Sequence, residues 1–332
     1  VEAGAGIVLS IMRMYPNNAS PGRQYLVLLA ILLLCSCVKQ EELGGFQRIP
    51  VATADDFYSL DVEKDGSFTA IGGYVWHRGI VAEGNAQSLV CTVDSFCNKG
   101  QFDLLRSRKN LLISVGTDGY FFSKPSGRKS WTFHRLSHWD ILHHIIETPD
   151  GYLASGGKSY EKGYIFLINP SFSIDTVLYF GHEISEVIPV SKNTFLSLGW
   201  GTLQISTDKG HHWQRLELSG DFFASGHFQD SLQGIVIGYN GHTYHTRDGS
   251  LSWTKNRVAG SGFDSFRKIR NTAIHEWWIT GTKGRLWHST DNGRSWRLSQ
   301  LPVKSDLYDI ATLNDGRYLV CGSEGLLAII TR

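Results

Sequence analysis

The sequence predicts an all-β fold, a seven-bladed β-propeller of four-stranded blades, and three observations predict it. The first is a period. Short aliphatic or β-branched runs end on glycine at Gly72, Gly116, Gly156, Gly199, Gly238, Gly281 and Gly322, at separations of 44, 40, 43, 39, 43 and 41 residues. A step of this length carrying four strand-like runs is the spacing of propeller blades. The second is a turn phrase, Ser/Thr-x-Asp followed by glycine and tryptophan, that recurs late in successive units. The third is that the two chain ends carry pieces of one unit. Ile329-Ile330-Thr331-Arg332 completes a third strand, and Phe46-Gln47-Arg48-Ile49-Pro50 matches the fourth strands of other units, with Phe46 in the tryptophan slot. An N-terminal strand joined to the last blade closes the ring and removes its open edge.

Composition agrees with this reading. Glycine supplies 36 of 332 residues, about 11% against roughly 7% in average proteins, as a turn-rich chain requires. Hydrophobic residues at 42% and charged ones at 19% are too apolar for disorder and sufficient for a large core. Lysine plus arginine (32) nearly equals aspartate plus glutamate (31), so nothing in the charge balance attracts a polyanion, and nucleic acid is not expected as a partner.

The first residues stand apart from the repeats. Both methionines, Met12 and Met14, lie here with Arg13 and Arg23, followed by the uncharged run from Gln24 to Cys37, QYLVLLAILLLCSC. Its apolar part is short for a bilayer span and has the form of a signal-peptide core. Residues 1–36 are read as upstream residues plus signal peptide, 37–45 as a tether and 46–332 as the propeller. Leu34-Cys35-Ser36-Cys37 resembles the bacterial lipobox. The resemblance implies export, cleavage before Cys37, diacylation of its thiol and a lipid anchor in the cell envelope. Val38, where an inner-membrane retention signal would place aspartate, favours the outer membrane. Lys39-Gln40-Glu41-Glu42 is similar to the export tag of surface lipoproteins in the Bacteroidetes, and a solvated linker explains it equally well.

Within the blades, Gly116-Thr117-Asp118-Gly119, Gly238-Tyr239-Asn240-Gly241, Gly281-Thr282-Lys283-Gly284 and Gly322-Ser323-Glu324-Gly325 read as turns between second and third strands that need positive φ. Phosphate-binding glycine loops open helices, whereas these join strands. The third-to-fourth turns carry Ser206, Asp208, Gly210 and Trp213 in one blade and Ser289, Asp291, Gly293 and Trp296 in another, with Thr246, Asp248 and Trp253 as a variant and Ser123 to Trp131 as a decayed copy. These phrases resemble the Asp-box of bacterial neuraminidase repeats. Physically, hydroxyl and carboxylate bind the turn backbone, glycine takes the left-handed position and tryptophan packs between blades. The resemblance puts the boxes opposite the usual binding end, and no catalytic residue is assigned.

The phrases GIVIGYNGHTYHTRDGSLSW and WWITGTKGRLWHSTDNGRSW resemble the photosystem II stability and assembly factor family. Blades one and three depart from it, having no box. What the resemblance implies is a non-catalytic, extracytoplasmic, lipid-anchored propeller that binds an envelope protein or a glycan. The alternative is an exo-acting glycoside hydrolase of sialidase type, because Arg48-Ile49-Pro50 looks like the Arg-Ile-Pro motif whose arginine grips a substrate carboxylate. The blade alignment instead puts Arg48 on a fourth strand. The further arginines, the tyrosine–glutamate pair and the acidic residue of that chemistry fall in no recognisable motif.

Candidate binding residues belong to the end bearing the second-to-third and fourth-to-first loops. They are Trp76, His77 and Arg78 in blade one, Tyr160 with Lys158 and Lys162 in blade three, and Trp200, Tyr239, Asn240, Lys283 and Glu324 at tight turns. Aromatics with polar neighbours suit peptide or sugar contact. Acidic residues before the innermost strands, Asp56, Asp140, Glu183, Asp221, Asp264 and Asp306, either line the channel mouth or cap turns. His143-His144, His211-His212 and His242 with His245 lack a carboxylate or cysteine at ligand spacing and are read as exposed or turn histidines, so neither metal nor cofactor is expected. Cys91 and Cys97 occupy the place of a box turn, where export permits a disulfide. Cys321 reads as a buried thiol.

Overall fold

The computed structural model describes residues 38–332 apart from Ser137, Ser219 and Asp264, so the stretch read as a signal peptide and Cys37, read as the acylated residue, lie outside the described residues. From Lys39 onward the chain forms one compact unit of seven antiparallel, four-stranded sheets. Blades 1 to 6 occupy residues 57–97, 101–135, 142–180, 184–215, 223–257 and 266–300, each in sequential strand order. Blade 7 runs Leu307–Thr312, Tyr318–Gly322 and Leu326–Thr331, and its outer strand is Gly45–Arg48, with Phe46 opposite Ile330. The ring is therefore closed as the sequence requires, and Arg48 lies on an outer strand.

The seven periodic glycines have a different job from the turn glycines. Each pairs with the first residue of the innermost strand, as in Phe57 with Gly72 or Leu307 with Gly322, and in every blade the register then skips one residue. The skip is a β-bulge. A Cβ on Gly156 would stand 1.9 Å from the Ile141 carbonyl oxygen, and one on Gly322 would stand 2.1 Å from that of Asp306. Close approach of the bulged backbone, not positive φ, selects glycine here, since Gly116 and Gly281 have φ of −163° and −154°. Positive φ appears in the next turn, where Asp118 and Gly119, Lys283 and Gly284, and Glu324 and Gly325 all adopt it.

The core is divided among the blade interfaces. Seven buried clusters lie one at each interface, from Ile49, Phe57, Leu319 and Leu327 between blades 7 and 1 to Trp278, Leu307 and Val320 between blades 6 and 7. The third-to-fourth turns staple them. Ser206 Oγ donates to Asp208 Oδ1 at 2.8 Å and accepts from Gly210 N at 2.9 Å, while Asp208 Oδ1 accepts from His212 N at 2.9 Å. Thr246 with Asp248 and Ser289 with Asp291 repeat the pattern. Trp213, Trp253 and Trp296 then pack into the clusters shared with the preceding blade.

Three expectations are corrected. Cys91 and Cys97 are free and lie on one strand, Val90–Cys97, six residues apart. At about 3.3 Å per residue they are held roughly 20 Å from each other, far beyond disulfide reach. His143 and His144 are neither exposed nor in a turn. They lie in an innermost strand facing Glu183 and Asp103. The stretch assigned to a tether is docked: Leu298 N donates to Lys39 O at 2.8 Å, Glu41 N donates to Leu298 O at 3.0 Å, and Gln40 pairs in parallel with Leu298 on the outer strand of blade 6. His288, 1% exposed, lies between Glu41 Oε2 at 2.8 Å and Glu276 Oε1 at 3.1 Å, which fixes this segment to the blade. Cys321 is buried, as expected.

Candidate interaction face

Because strands alternate in direction, the second-to-third turns and the lead-ins to the innermost strands share one end of the ring, here the upper face. The Ser/Thr–Asp turns occupy the lower face. The sequence candidates are on the upper face, and the structure sorts them by what holds them.

The acidic lead-ins are turn caps. Asp306 Oδ1 accepts from Lys283 N at 3.0 Å, Asp56 Oδ1 from Glu324 N at 3.1 Å, and Glu183 Oε2 from Ser159 N at 2.6 Å, each across to the preceding blade. Lys283, Glu324 and Ser159 all have positive φ, so each carboxylate secures a backbone that is unfavourable for a residue with a side chain. Asp221 accepts from both Asn240 nitrogens at 3.1 Å and from Tyr244 Oη at 2.9 Å. Burial and this carboxylate push the Tyr244 phenol above its usual range. Asp140 pairs with Lys162 at 2.5 Å. Asn240, Lys283 and Glu324 are thus held as turn residues. Asp264 lies outside the described residues.

In blade 1, Arg78 is locked to Asp55 by two bonds of 2.7 and 2.8 Å, His77 stacks on Tyr74 at 5.1 Å, and Lys99 lies over the Trp76 ring at 5.6 Å. These three candidates are held by blade 1 and its flanking loops, and Gly325 N donating to Asp55 O at 3.1 Å sets them beside the Glu324 turn.

Tyr160, Trp200 and Tyr239 come together. The ring centroids of Tyr160 and Trp200 are 4.6 Å apart, Trp200 and Phe222 also 4.6 Å, and Phe222 and Tyr239 4.3 Å. The result is a continuous aromatic row across blades 3, 4 and 5. A backbone bridge between Trp200 and Phe222 fixes its middle, and Arg267 stands 5.8 Å from the Tyr239 ring. Tyr160 is 67% exposed and opens the row to solvent. Phe222 is the member that sequence reasoning missed. It sits in a lead-in beside Phe223, and only the turn of the neighbouring blade brings Trp200 against it.

Below the turns, the bulge residues form a second feature that was not foreseen. Tyr58 lies 5.1 Å from Phe102 and 5.0 Å from Tyr308, and Phe102 lies 5.9 Å from His143, so blades 7, 1, 2 and 3 line the channel with rings. Blades 4 and 5 place the small Ser185 and Ala224 at this level, beneath the exposed row. The signal was present, since each ring residue follows the partner of an anchor glycine by one position.

Deeper still, Lys268 pairs with Glu186 at 2.6 Å and Arg270 with Asp309 at 2.8 Å, while Asp103 accepts from Ser59 Oγ at 3.2 Å and Ile145 N at 3.0 Å. Lys268, Glu186, Arg270 and Asp103 line a cavity of about 210 Å³. Burial and Arg270 push His227 there down to about 4. Lys268 and Arg270 are already matched by carboxylates, so they offer no unpaired cation to a substrate carboxylate. Among the described residues no group of three or more His, Cys, Asp or Glu side chains is placed to hold a metal ion.

No family model matches the chain. A photosystem II assembly lipoprotein, Ycf48, from Synechococcus sp. (strain CC9902) is 27% identical over 139 residues, a match that takes in 42% of this chain and 38% of that protein, well under half of either. Among solved structures, YCF48 bound to D1 peptide superposes with a TM-score of 0.66 at 14% identity, covering 89% of this chain and 99% of that one. A streptogramin B lyase superposes equally well, with a TM-score of 0.69 at 11% identity over 86% of this chain and 97% of that chain. The ring alone therefore does not decide between binding and catalysis.

Proposed function

We propose that this protein is a non-catalytic binding module outside the cytoplasm, tethered to the cell envelope through a lipid on Cys37, that holds an extended segment of another envelope protein on its upper face. The outer membrane is the expected address. The observation that carries the reading is the aromatic row Tyr160–Trp200–Phe222–Tyr239. Rings fixed by their neighbours lose little freedom on binding and concentrate affinity in a few contacts. The sequence relative is named for assembly, and one structural neighbour carries a bound peptide, which supports a protein partner ahead of a glycan. In this reading the Ser/Thr–Asp turns are Asp-boxes with a purely structural role.

The test is photo-crosslinking in intact cells from a benzophenone side chain at Tyr160, compared with one at Tyr179, which is 71% exposed on an outer strand. The reading predicts one recurrent protein adduct from position 160, mapped by mass spectrometry to a single segment and absent from position 179. Equal, scattered adducts from both positions would contradict it. Adducts confined to glycolipid would turn it toward sugar.

A further inference from the structure

We infer that the lower face of blades 5 and 6 is a membrane-docking surface that lies against a lipid bilayer and points the aromatic row away from it. The inference extends the reading of Cys37 as the lipid-bearing residue and takes its own support from described residues.

Three apolar side chains stand out of this face. Leu251 is 86% exposed, Ile274 81% and Leu232 55%. They sit at the tips of neighbouring turns that are tied to each other. Gly249 N donates to Leu232 O at 3.0 Å in blade 5, and in blade 6 Asn292 N donates to His275 O at 3.2 Å. The tips are thus presented by a braced platform, which is costly to maintain in water and suited to insertion among acyl chains. Exposed Arg247, Arg294 and Arg297 belong to the same turns or directly follow them. The carboxylates of Asp230, Asp248 and Asp291 accept hydrogen bonds within their own turns, so the rim carries both signs and the attraction to the bilayer comes from the apolar tips.

Chain direction gives the independent constraint. Residues 39–41 run parallel to the outer strand Arg297–Gln300, which starts at the lower end immediately after Trp296. Lys39 therefore lies at the lower end of blade 6. Cys37 is two residues earlier, and two residues of chain span at most about 7 Å. A lipid on Cys37 would hold the bilayer at the same face from which the apolar tips project.

The experiment uses the full lipidated chain in vesicles of phosphatidylethanolamine and phosphatidylglycerol, in a Cys91→Ser, Cys97→Ser background, with an environment-sensitive fluorophore at Leu251→Cys or, on the upper face, at Glu161→Cys. The expected result is loss of fluorescence at position 251 when the lipids carry a nitroxide, with position 161 unaffected. If mass spectrometry finds the lipid on Cys37 and the vesicles hold the protein, yet position 251 is no more quenched than 161, docking is overturned and the anchor stands. If Cys37 carries no lipid but position 251 is still quenched, the surface is confirmed and the anchor falls. Absence of both the lipid and the quenching overturns both.

Discussion

Blades 4, 5 and 6 and blades 1 and 3 solve the same packing problem with different chemistry. In the first group a Ser/Thr–Asp pair folds the third-to-fourth turn, and a tryptophan from it wedges against the preceding blade. In blade 3, Asn169 Oδ1 accepts from Ser171 N at 3.0 Å and Ser173 N at 3.1 Å, and Phe172 packs on Phe121 of blade 2 at 5.1 Å. In blade 1, Asn85 Oδ1 accepts from Gln87 N at 2.9 Å, and Leu89 joins the cluster shared with blade 7. Trp131 and Phe46 serve blades 2 and 7. Each interface has its wedge; the Ser/Thr–Asp turn is one way to supply it, and blades that lack this turn still perform its task.

The largest expected effect removes what both groups share. Gly156→Ala in blade 3 and Gly199→Ala in blade 4 would put a Cβ 1.9 and 2.2 Å from the backbone oxygens of Ile141 and Glu183. Each is expected to cost more than about 4 kcal/mol, read as loss of soluble, folded protein. Tolerance in only one of the two blades would mean that the bulge is not a common frame.

Next come the wedges. Trp213→Ala is expected to cost about 3 kcal/mol in denaturant titration. Phe172→Gly is expected to cost only about 1 kcal/mol, because Phe172 has a φ of 65° and glycine relieves that strain as it deletes the ring. Equal losses would erase the distinction between the two chemistries.

The smallest effect is a matter of pH. Hydrogen bonds from the His212 backbone hold the Asp208 carboxyl well below its usual range, and those from Ser252 do the same for Asp248. A carboxyl whose pKa is depressed by folding adds stability that is complete above its unfolded value, near 4, and is lost as pH falls through the folded value. Asn85 and Asn169 do not titrate. After correction for intrinsic exchange rates, hydrogen exchange at pH 3 should accelerate at the His212 and Ser252 amides and leave Ser171 and Ser173 protected as at pH 7. Uniform acceleration would contradict the assignment.

The ring was legible because its determinants are local. An anchor glycine answers to a bulge about fifteen residues away in the same blade, and a Ser/Thr–Asp turn with its tryptophan is contained within eight residues. The wedges of blades 1 and 3 were hidden because asparagine with a left-handed Phe172 or Leu89 leaves no fixed phrase. The aromatic row was half legible. Tyr160, Trp200 and Tyr239 fall in turns of known position, but their union depends on Phe222, which meets Trp200 only across a blade boundary. Cys91 and Cys97 misled because the strand between them is longer than the period suggested.

The central claim, that the row Tyr160–Trp200–Phe222–Tyr239 is the partner site, is tested most directly by calorimetry with the segment captured from position 160, made as a synthetic peptide. Trp200 touches both neighbours in the row, so Trp200→Ala should weaken binding by about 30-fold, the loss of roughly 2 kcal/mol that marks a central anchor, while the circular dichroism of the ring is unchanged. Wild-type affinity in a folded Trp200→Ala protein would contradict it.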